Sequence, residues 1–410
     1  MVKSVLSTSV FATTAVFQRA LLSTADYIYS TAGGALYQVE ANGTATSLGA
    51  IADGESTIST NGSNVVITGN GTYYVWDGTT LSAPTTGPFA SIGSCDFLNQ
   101  YTLYTEKDGR RHGWSDVADP KTLPGLNFAT AEGRNDKILR GMVINGRWVL
   151  FKEESRETWY HTNQTGASAF SLVPGAVKDT GLKGFDLVCK ADENAFFVGD
   201  DDVVRMTDGL NDKVVSTPQV SSVLETSTAD HCFYYEDQGS KFCVIRFSDR
   251  PALVFDLATG EWHERADGVD LDPWGAVDSV KYQENWYVGT QLGKIEKLSR
   301  GNVDVIGPLK RVIVTPSFTM PARKTVASIE IFGRMGHNDI GRDVQVMMRI
   351  SRDGAQTWSL EKWRSWGGLG DYQRVVKWRR QGQARKVAFE FSMTDPADVP
   401  IDSDFIVEMT

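Results

Sequence analysis

Apolar and polar residues alternate with a period of two in many short segments of this chain, and that period predicts β-strands. Between positions 344 and 351, for example, valine, methionine and isoleucine occupy every second position. Asp353-Gly354 follows this segment and favours a tight turn, because glycine tolerates positive φ and aspartate bonds its own backbone. Segments with helical periodicity are nearly absent. The pattern therefore predicts an all-β protein.

Pairs of such segments flank short runs of glycine, aspartate, asparagine and serine, which predicts β-hairpins. The paired segments are 26–29 with 35–40, 64–68 with 72–76, 147–151 with 157–160, 194–198 with 203–207, 241–247 with 252–256, and 284–288 with 294–298. Several second strands end in Asp-Gly or a related turn, as at Asp77-Gly78, Asp208-Gly209 and Asp256 to Gly260. This recurrence indicates one structural unit used repeatedly.

The spacing of the later hairpins indicates a β-propeller. Their first strands begin at Arg147, Asn194, Lys241 and Glu284, which are 47, 47 and 43 residues apart. Several strands per repeat of about 45 residues is typical of propeller blades. A single blade cannot bury both of its faces, whereas a closed ring of blades buries them and leaves only short edges. About six blades of this length fit before residue 300, although the first two hairpins lie closer together.

The domain prediction follows from the place where this repeat ends. Residues 1–300 form the predicted propeller, with an insertion between blades at 115–137. Residues 301–308 contain two glycines and a proline and are expected to be a linker. Residues 309–410 contain further alternating segments and are expected to form a β-sandwich-like assembly domain.

The C-terminal part differs from the rest of the chain in charge and in tryptophan content. Residues 342–386 hold eleven Lys/Arg and four Asp/Glu, a balance of +7, whereas the whole chain carries −10. Four of the eleven tryptophans lie in the same stretch. The remaining residues therefore carry −17, and an acidic body argues against a surface that grips nucleic acid.

Nine aromatic and cationic residues of this stretch are the candidate functional residues. They are Trp363, Arg364, Trp366, Tyr372, Arg374, Lys377, Trp378, Arg379 and Arg380. Tryptophan and arginine are enriched at protein interfaces, so the first interpretation is a contact between subunits. The second is a nucleic-acid platform on which bases stack and phosphates are neutralised. The third is an ordinary strand with one face packed inward and a solvated cationic face outward.

Motifs for catalysis, cofactors and metals are missing from the sequence. It contains no GxSxG, no P-loop and no GxGxxG after a strand, and its five histidines are scattered away from zinc spacings. The acidic residues at 200–202 and at 267, 270 and 272 lack the closing glutamate of a calcium loop and are expected to solvate turns. We therefore expect no catalytic residues, no metal and no cofactor.

The cysteines and the apolar runs indicate the compartment in which the protein is made. The four cysteines, Cys95, Cys189, Cys232 and Cys243, show no CxxC spacing and are expected to be reduced, mostly buried thiols of a protein made in the cytosol. No apolar run approaches the roughly 20 residues of a membrane span. Residues 10–22 lack the apolar core of a secretion signal.

One turn motif resembles the Asp-box hairpin of sialidases and related propellers. It comprises Ser351, Asp353-Gly354 and Thr357-Trp358, and Ala355 stands where glycine is usual. In those proteins the aspartate binds the amides of the turn, and the hairpin supports folding away from the active site. The motif therefore favours β architecture and says nothing about glycoside cleavage.

Motifs distributed along the chain resemble the tail hub or nozzle proteins of short-tailed bacteriophages, also called packaged-DNA stabilisation proteins. They are Tyr37 with the turn that follows it, Phe128 to Gly133 with Asp136, Ser155-x-Glu157-x-Trp159-Tyr160, Val173 to Ala176, Asp256-x-x-Thr259-Gly260-x-Trp262-x-Glu264-Arg265, Trp358-Ser359, Trp363 to Gly367, Leu369 to Tyr372 and Trp378 to Arg380. The resemblance extends from about residue 27 to residue 401.

The resemblance implies a non-enzymatic structural virion protein, made in the cytoplasm of the host bacterium and built into the tail. Six copies of such a protein form a ring beneath the portal and its adaptor ring. The ring extends the DNA exit channel, retains the packaged DNA and docks tail fibres, tailspikes or a needle. Double-stranded viral DNA passes through it without specific binding. An acidic body suits such a channel because it repels phosphates.

A second class of function stays open at this point. Propellers also serve as glycan-active enzymes and glycan-binding adhesins. Glycosidases use two placed carboxylates, or a tyrosine and a glutamate with arginines. Glutamate and tyrosine are plentiful in this chain, so the residues alone do not decide between the two classes.

Overall fold

The structure, a computed structural model, describes residues 6–301, 303–337, 341, 343–397 and 401–410. The chain divides into two compact units. One consists of Val10–Ala266 and Pro273–Lys297, and the other of the described residues up to Ser9, Asp267–Asp272 and those from Leu298 onward. Each unit is built almost entirely from antiparallel strands.

Short strands succeed one another from residue 6 to residue 300. In chain order they are β1 (Leu6–Thr13), β2 (Gln18–Ser23), β3 (Ile28–Ala32), β4 (Ala35–Val39), β5 (Ala45–Ala50), β6 (Ser56–Thr60), β7 (Val65–Gly69), β8 (Thr72–Trp76), β9 (Leu81–Ser82), β10 (Ile92–Leu98), β11 (Tyr101–Glu106), β12 (Arg111–Trp114), β13 (Phe128–Thr130), β14 (Ile138–Ile144), β15 (Arg147–Lys152), β16 (Arg156–His161), β17 (Phe170–Lys178), β18 (Val188–Ala191), β19 (Asn194–Val198), β20 (Val204–Thr207), β21 (Asp212–Val214), β22 (Ala229–Asp237), β23 (Ser240–Phe247), β24 (Ala252–Asp256), β25 (Glu261–Asp267), β26 (Asp272–Pro273), β27 (Ala276–Tyr282), β28 (Asn285–Thr290) and β29 (Lys294–Arg300). A short 3₁₀ turn (Gly166–Ser168) and one helix, α1 (Pro218–Thr226), interrupt them.

Within the described residues these strands form seven antiparallel sheets, the blades of a β-propeller. Blades 1 to 5 are β2–β5, β6–β9, β10–β13, β14–β17 and β18–β21, blade 6 is β22–β26, and blade 7 is β27–β29 with β1 as its fourth strand. The predicted all-β propeller is confirmed, and the predicted count of about six blades is wrong.

The sequence predicts one blade too few for two physical reasons. The first strands of blades 1 to 3 begin at Gln18, Ser56 and Ile92, which is closer than the 45-residue period read from Arg147 onward. The fourth strand of blade 7 comes from the start of the described chain, so the sequence shows blade 7 as an incomplete repeat. Both effects place more blades in 300 residues than a uniform period allows.

The predicted insertion at 115–137 is not purely a connection between blades. It contains β13, the outer strand of blade 3, where Phe128 pairs with Gly113 and Thr130 with Arg111. Three residues are too few to show an alternating pattern. The remainder of the segment is the turn that precedes β13 and the connection to blade 4.

The middle strands of the blades are buried on both faces, as a ring of sheets requires. Every residue of β7 is buried, and so are Phe196, Phe197 and Val198 of β19. Their apolar residues therefore run without a break, in contrast to a half-exposed strand. Phe151 of blade 4 packs on Phe197 of blade 5 with ring centroids 5.3 Å apart, which joins neighbouring blades through a common core.

The second unit contains the remaining strands. They are β30 (Val303–Asp304), β31 (Gly307–Pro308), β32 (Arg311–Val314), β33 (Phe318–Gly333), β34 (Val344–Ser351), β35 (Lys362–Gly367), β36 (Val376–Arg379), β37 (Gln383–Met393) and β38 (Ile401–Met409). β30 and β31 pair with each other inside the segment predicted to be a linker.

A sandwich-like or barrel-like arrangement results from two long strands, β33 and β37. β37 pairs with β32 and β34, β33 pairs with β36 and β38, and the two long strands pair with each other. β35 continues the first half as the neighbour of β34. The core between the halves holds Ile329, Ile350, Phe389 and Trp366. The predicted β-sandwich-like fold of this part is confirmed.

Candidate functional site

Two of the nine candidate residues lie in the core of the C-terminal unit. Trp366 on β35 and Trp378 on β36 are 1% and 0% exposed. The indole Nε1 of Trp378 donates to the carbonyl oxygen of Lys362 at 2.7 Å. Their side chains offer no surface to a neighbouring subunit, so the interface prediction is wrong for these two residues. The cause is strand alternation, since Val376 and Trp378 of β36 point inward.

The other two candidate aromatic residues are exposed. Trp363 on β35 is 52% exposed, and Tyr372 in the loop between β35 and β36 is 63% exposed. Three apolar residues outside the nine candidates, Leu360, Leu369 and Val375, are also exposed and lie near them in the chain. We call these five residues the β35–β36 surface. These five residues are close together in the chain, and exposed apolar side chains that form one patch are typical of interaction sites.

Cationic candidate residues accompany this surface. The Arg364 guanidinium donates to the carbonyl oxygens of Trp363 at 2.8 Å and Lys377 at 3.2 Å. Arg374 lies 3.7 Å from a carboxylate oxygen of Asp371. Arg379 and Arg380 are exposed. Arginine with exposed tryptophan and tyrosine is the combination found at binding hot spots.

Lys377 is held by the sheet on which it lies. Its ammonium is 3.3 Å from a Glu408 carboxylate oxygen and 3.6 Å from one of Glu330. The hydrogen bond from Ser328, followed by that from Lys377, lowers the pKa of Glu408. The third interpretation of the sequence, an inward apolar face and an outward cationic face, therefore describes β36 itself.

A neighbouring lysine, Lys362, is partly buried near two arginines. Burial, followed by the charges of Arg352 and Arg364, lowers the pKa of Lys362. The Lys362 ammonium donates to the Gln381 side-chain oxygen instead of a carboxylate. Lys377 and Arg374, by contrast, lie beside carboxylates of the chain itself.

The Asp-box-like turn forms as the residue types predict. One Asp353 carboxylate oxygen accepts from the amides of Gln356 and Thr357, each at 3.0 Å, and the other accepts from the Thr357 hydroxyl at 2.5 Å. The Thr357 hydroxyl and amide lower the pKa of Asp353. Ala355 has φ +71°, a conformation that glycine adopts more readily. The turn is a structural element.

The propeller axis encloses a cavity of about 350 Å³ that the first strands of all seven blades line. Its charged lining residues are Arg19, Asp96, Arg140, Asp186, Lys190, Asp278 and Lys281. Sequence reasoning misses this group because its members come from separate blades. Their only common feature is a place on a first strand or immediately before it.

The carboxylates of this cavity bind groups of other blades. Asp96 accepts from the Val143 amide at 2.7 Å and lies 2.8 Å from the Lys190 ammonium. Asp278 of blade 7 accepts from the Leu21 amide of blade 1 at 2.7 Å, and burial raises its pKa to about 6. These contacts connect blades, which is a structural use of the charges.

Other acidic groups are likewise paired within the chain. Asp201 lies 2.6 Å from Arg205, Asp202 pairs with Lys183, and Asp200 accepts from the Gly181 amide at 2.8 Å. Within the described part of the chain, no group of three or more His, Cys, Asp and Glu is arranged to hold a metal ion. Among the described residues, no helix combines the length and the apolar character that a membrane span requires.

The four cysteines are free and buried. Burial raises the pKa of Cys95 to about 12, and it also raises the pKa values of Cys189, Cys232 and Cys243. Thiols with raised pKa values are poor nucleophiles because the thiolate is the reactive form. They contribute to packing.

Comparisons with known proteins match both parts of the chain. The family model described as bacteriophage P22 Gp10, beta-propeller, matches residues 8–301, and the one described as bacteriophage P22 Gp10, beta-sandwich, matches residues 310–406. No curated protein matches the chain significantly.

Solved structures that match the chain resemble it only distantly. The computationally designed Ika8 protein has 12% identity and a TM-score of 0.45, covering 71% of this chain and 99% of its own. Virginiamycin B lyase from Staphylococcus aureus has 10% identity and a TM-score of 0.49, covering 72% of this chain and 95% of its own. Likenesses at this level carry no argument about function.

Proposed function

The chain belongs to the bacteriophage P22 Gp10 family, the tail nozzle or hub proteins of short-tailed phages, and from this premise we propose that it is one subunit of a homohexameric tail nozzle. The two family matches cover nearly the whole chain. They make the protein a structural component of the phage tail, and therefore of the virion. The finer roles are the proposal.

The β35–β36 surface is the feature that supports a subunit contact. It combines the exposed side chains of Trp363, Leu369, Tyr372 and Val375 with the arginines that lie beside them. Aromatic and arginine residues at the centre of an interface contribute most of its binding energy. We propose that each subunit binds its neighbour, or an adjoining ring of the tail, through this surface.

The charge balance supports the role of a DNA channel. Outside residues 342–386 the chain carries −17, and negative walls repel phosphates, so DNA slides without being gripped. We propose that the ring lies beneath the portal and adaptor and that its bore is net negative. The ring retains the packaged DNA and docks tail fibres, tailspikes or a needle. A ring whose bore is lined with lysine and arginine would contradict this proposal.

The proposed protein performs no catalysis. The conspicuous carboxylates of the propeller cavity, Asp96 and Asp278, accept hydrogen bonds from backbone amides of neighbouring blades. A glycosidase instead needs two carboxylates directed at one bond. The glycan-active or glycan-binding alternative is therefore kept only as an outcome of the test.

Native mass spectrometry and negative-stain imaging of the purified chain test the assembly. We expect sixfold rings for the wild type and a loss of rings for the double variant Trp363→Ser and Tyr372→Ser, with unchanged circular dichroism. Leu126→Ser is the matched control, because Leu126 is 77% exposed and lies in the propeller unit. If the double variant still forms rings, this surface takes no part in ring assembly.

The same experiment separates the two classes of function. A chain that stays monomeric at every concentration and after addition of its portal and adaptor would contradict the nozzle. Turnover or retention of a host surface polysaccharide by that monomer would establish the glycan alternative.

A further inference from the structure

A buried group of charged side chains lies between blades 3 and 4 and has no part in the proposed assembly. Lys152 at the end of β15 is 0% exposed, as are Ser155 and Glu157, and Asp136 is 9% exposed. Asp136 lies in the connection from β13 to β14. Burial of three charged groups in one place is uncommon because each loses its hydration.

The Lys152 ammonium touches both carboxylates of this group. Its Nζ atom lies 2.9 Å from Asp136 Oδ1 and 3.4 Å from Glu157 Oε1. It also donates to the carbonyl oxygen of Arg134 at 2.7 Å. An amine nitrogen, a carboxyl carbon and a second carboxyl group are therefore held within contact distance of one another.

The surrounding hydrogen bonds fix both carboxylates. The two Asp136 oxygens lie 2.9 and 3.0 Å from the Ser155 hydroxyl, and one of them accepts from the Glu154 amide at 2.9 Å. Glu157 accepts from the Gly133 amide at 2.8 Å and the Trp159 indole at 3.3 Å. Reacting groups held in this way lose little entropy on reaching one another.

The group adjoins an apolar, aromatic environment. The buried ring of His112 lies 5.0 Å from that of Trp148 and 4.3 Å from that of Trp159. Burial, together with the charge of Lys152, lowers the pKa of His112 to about 3, so this neighbour is neutral. An apolar environment disfavours charges and favours a neutral product formed from a charged pair.

We propose that the Nζ atom of Lys152 and the Cγ atom of Asp136 join in an intramolecular amide crosslink after folding, with Glu157 as the proton carrier. The crosslink would tie the connection between blades 3 and 4 to the end of β15. It needs no cofactor, oxidant or second protein.

The reaction balances within these three side chains. The ammonium passes one proton to the Glu157 carboxylate, and the neutral amine attacks Asp136 Cγ. Glu157 transfers that proton and then a second one from the nitrogen to the departing Asp136 oxygen. The C–N bond forms, one C–O bond breaks, one water leaves, and Glu157 is again a carboxylate.

The reaction is expected to be slow. Burial opposes ionisation of Asp136, but Lys152, the Glu154 amide and the Ser155 hydroxyl outweigh it and lower its pKa. An ionised carboxylate resists attack until protons have moved to it. The crosslink is therefore expected to accumulate after folding, over hours or days, and faster on warming.

Intact mass spectrometry of the denatured full chain tests the proposal. We expect aged wild-type protein to be lighter than its sequence by one water molecule. After trypsin digestion, residues 135–137 should be joined to residues 148–156, with no cleavage at Lys152. Wild-type protein incubated for days at elevated temperature and still showing free peptides 135–137 and 148–152 would overturn the proposal.

Two variants control for other losses of water, such as succinimides at the Asp-Gly turns. Lys152→Arg keeps the charge but forms no such amide, so its mass should match its sequence. Glu157→Gln should react more slowly than the wild type, and an equal rate would remove Glu157 from the mechanism. If Lys152→Arg fails to fold, the wild-type peptide map decides alone, because it identifies the joined residues.

Discussion

The propeller and the C-terminal unit use their conspicuous residues in different ways. In the propeller, charges such as Asp96 and Asp278 bind the backbone of the next blade. In the C-terminal unit, Trp363 and Tyr372 are exposed, whereas Trp378 is in the core. An unusual residue type therefore does not mark a functional site by itself, and the direction of its side chain decides.

The largest expected effect is a difference in unfolding free energy between variants of two tryptophans of the C-terminal unit. Trp378→Ala removes a fully buried indole and should lower the free energy of unfolding by about 3–5 kcal/mol. Trp363→Ala removes an exposed indole and should change it by less than about 0.5 kcal/mol. Denaturant unfolding of both variants, followed by circular dichroism, measures the difference. Equal effects would contradict the burial that separates these residues.

The next largest effect is a dependence of stability on pH that comes from Asp278 at the propeller axis. Burial raises the pKa of Asp278 to about 6, so the folded state takes up this proton before the unfolded chain does. The stabilisation is fully present below the unfolded pKa of about 4 and is lost as pH rises through about 6. Asp278 faces the axial cavity, which weakens the effect of burial. We therefore expect the free energy of unfolding to be about 1–2 kcal/mol lower at pH 8 than at pH 5 because of this residue.

The variant Asp278→Asn tests whether Asp278 is responsible for this pH dependence of stability. Asp278→Asn should flatten this part of the stability–pH curve, measured by thermal unfolding between pH 5 and 8. Two charges near Asp278, those of Arg140 and Asp186, remain in the variant. A curve of unchanged slope would assign the titration to Asp186, whose pKa burial also raises.

The smallest expected effect concerns the turn of the C-terminal unit. Ala355 has φ +71°, and Ala355→Gly should raise the free energy of unfolding by about 0.5–1 kcal/mol. Ala50→Gly is the control, since Ala50 ends strand β5 and glycine weakens a strand. Chemical denaturation should move the two variants in opposite directions. A destabilised Ala355→Gly would show that the turn holds its shape without strain.

Much of the fold can be predicted from the sequence because strand alternation and turn residues are local. The hairpins, the propeller and the β-sandwich-like unit all follow from them. The number of blades does not follow, because β1 pairs with β29 through contacts between distant parts of the chain.

The candidate site could be predicted only in part. Trp363 and Trp366 are three residues apart on one strand, so their side chains lie on opposite faces, and this parity alone separates the exposed residue from the buried one. Leu369 and Val375 lie in a loop, where no period applies. The group of Lys152, Asp136 and Glu157 is visible only in the fold, because a connection between blades brings Asp136 to the end of β15.

The contribution of β1 to blade 7 has a consequence for folding. Thr14 and Gly293, which hydrogen bond where this blade closes, are 279 residues apart in the chain. Such distant pairing slows folding. While the ribosome is still synthesising blades 2 to 6, the propeller is not yet closed. The edges of its first and latest blades are then free to associate with other nascent chains. Yield of intact protein should therefore depend on temperature and chaperones during synthesis more than the finished ring's stability suggests.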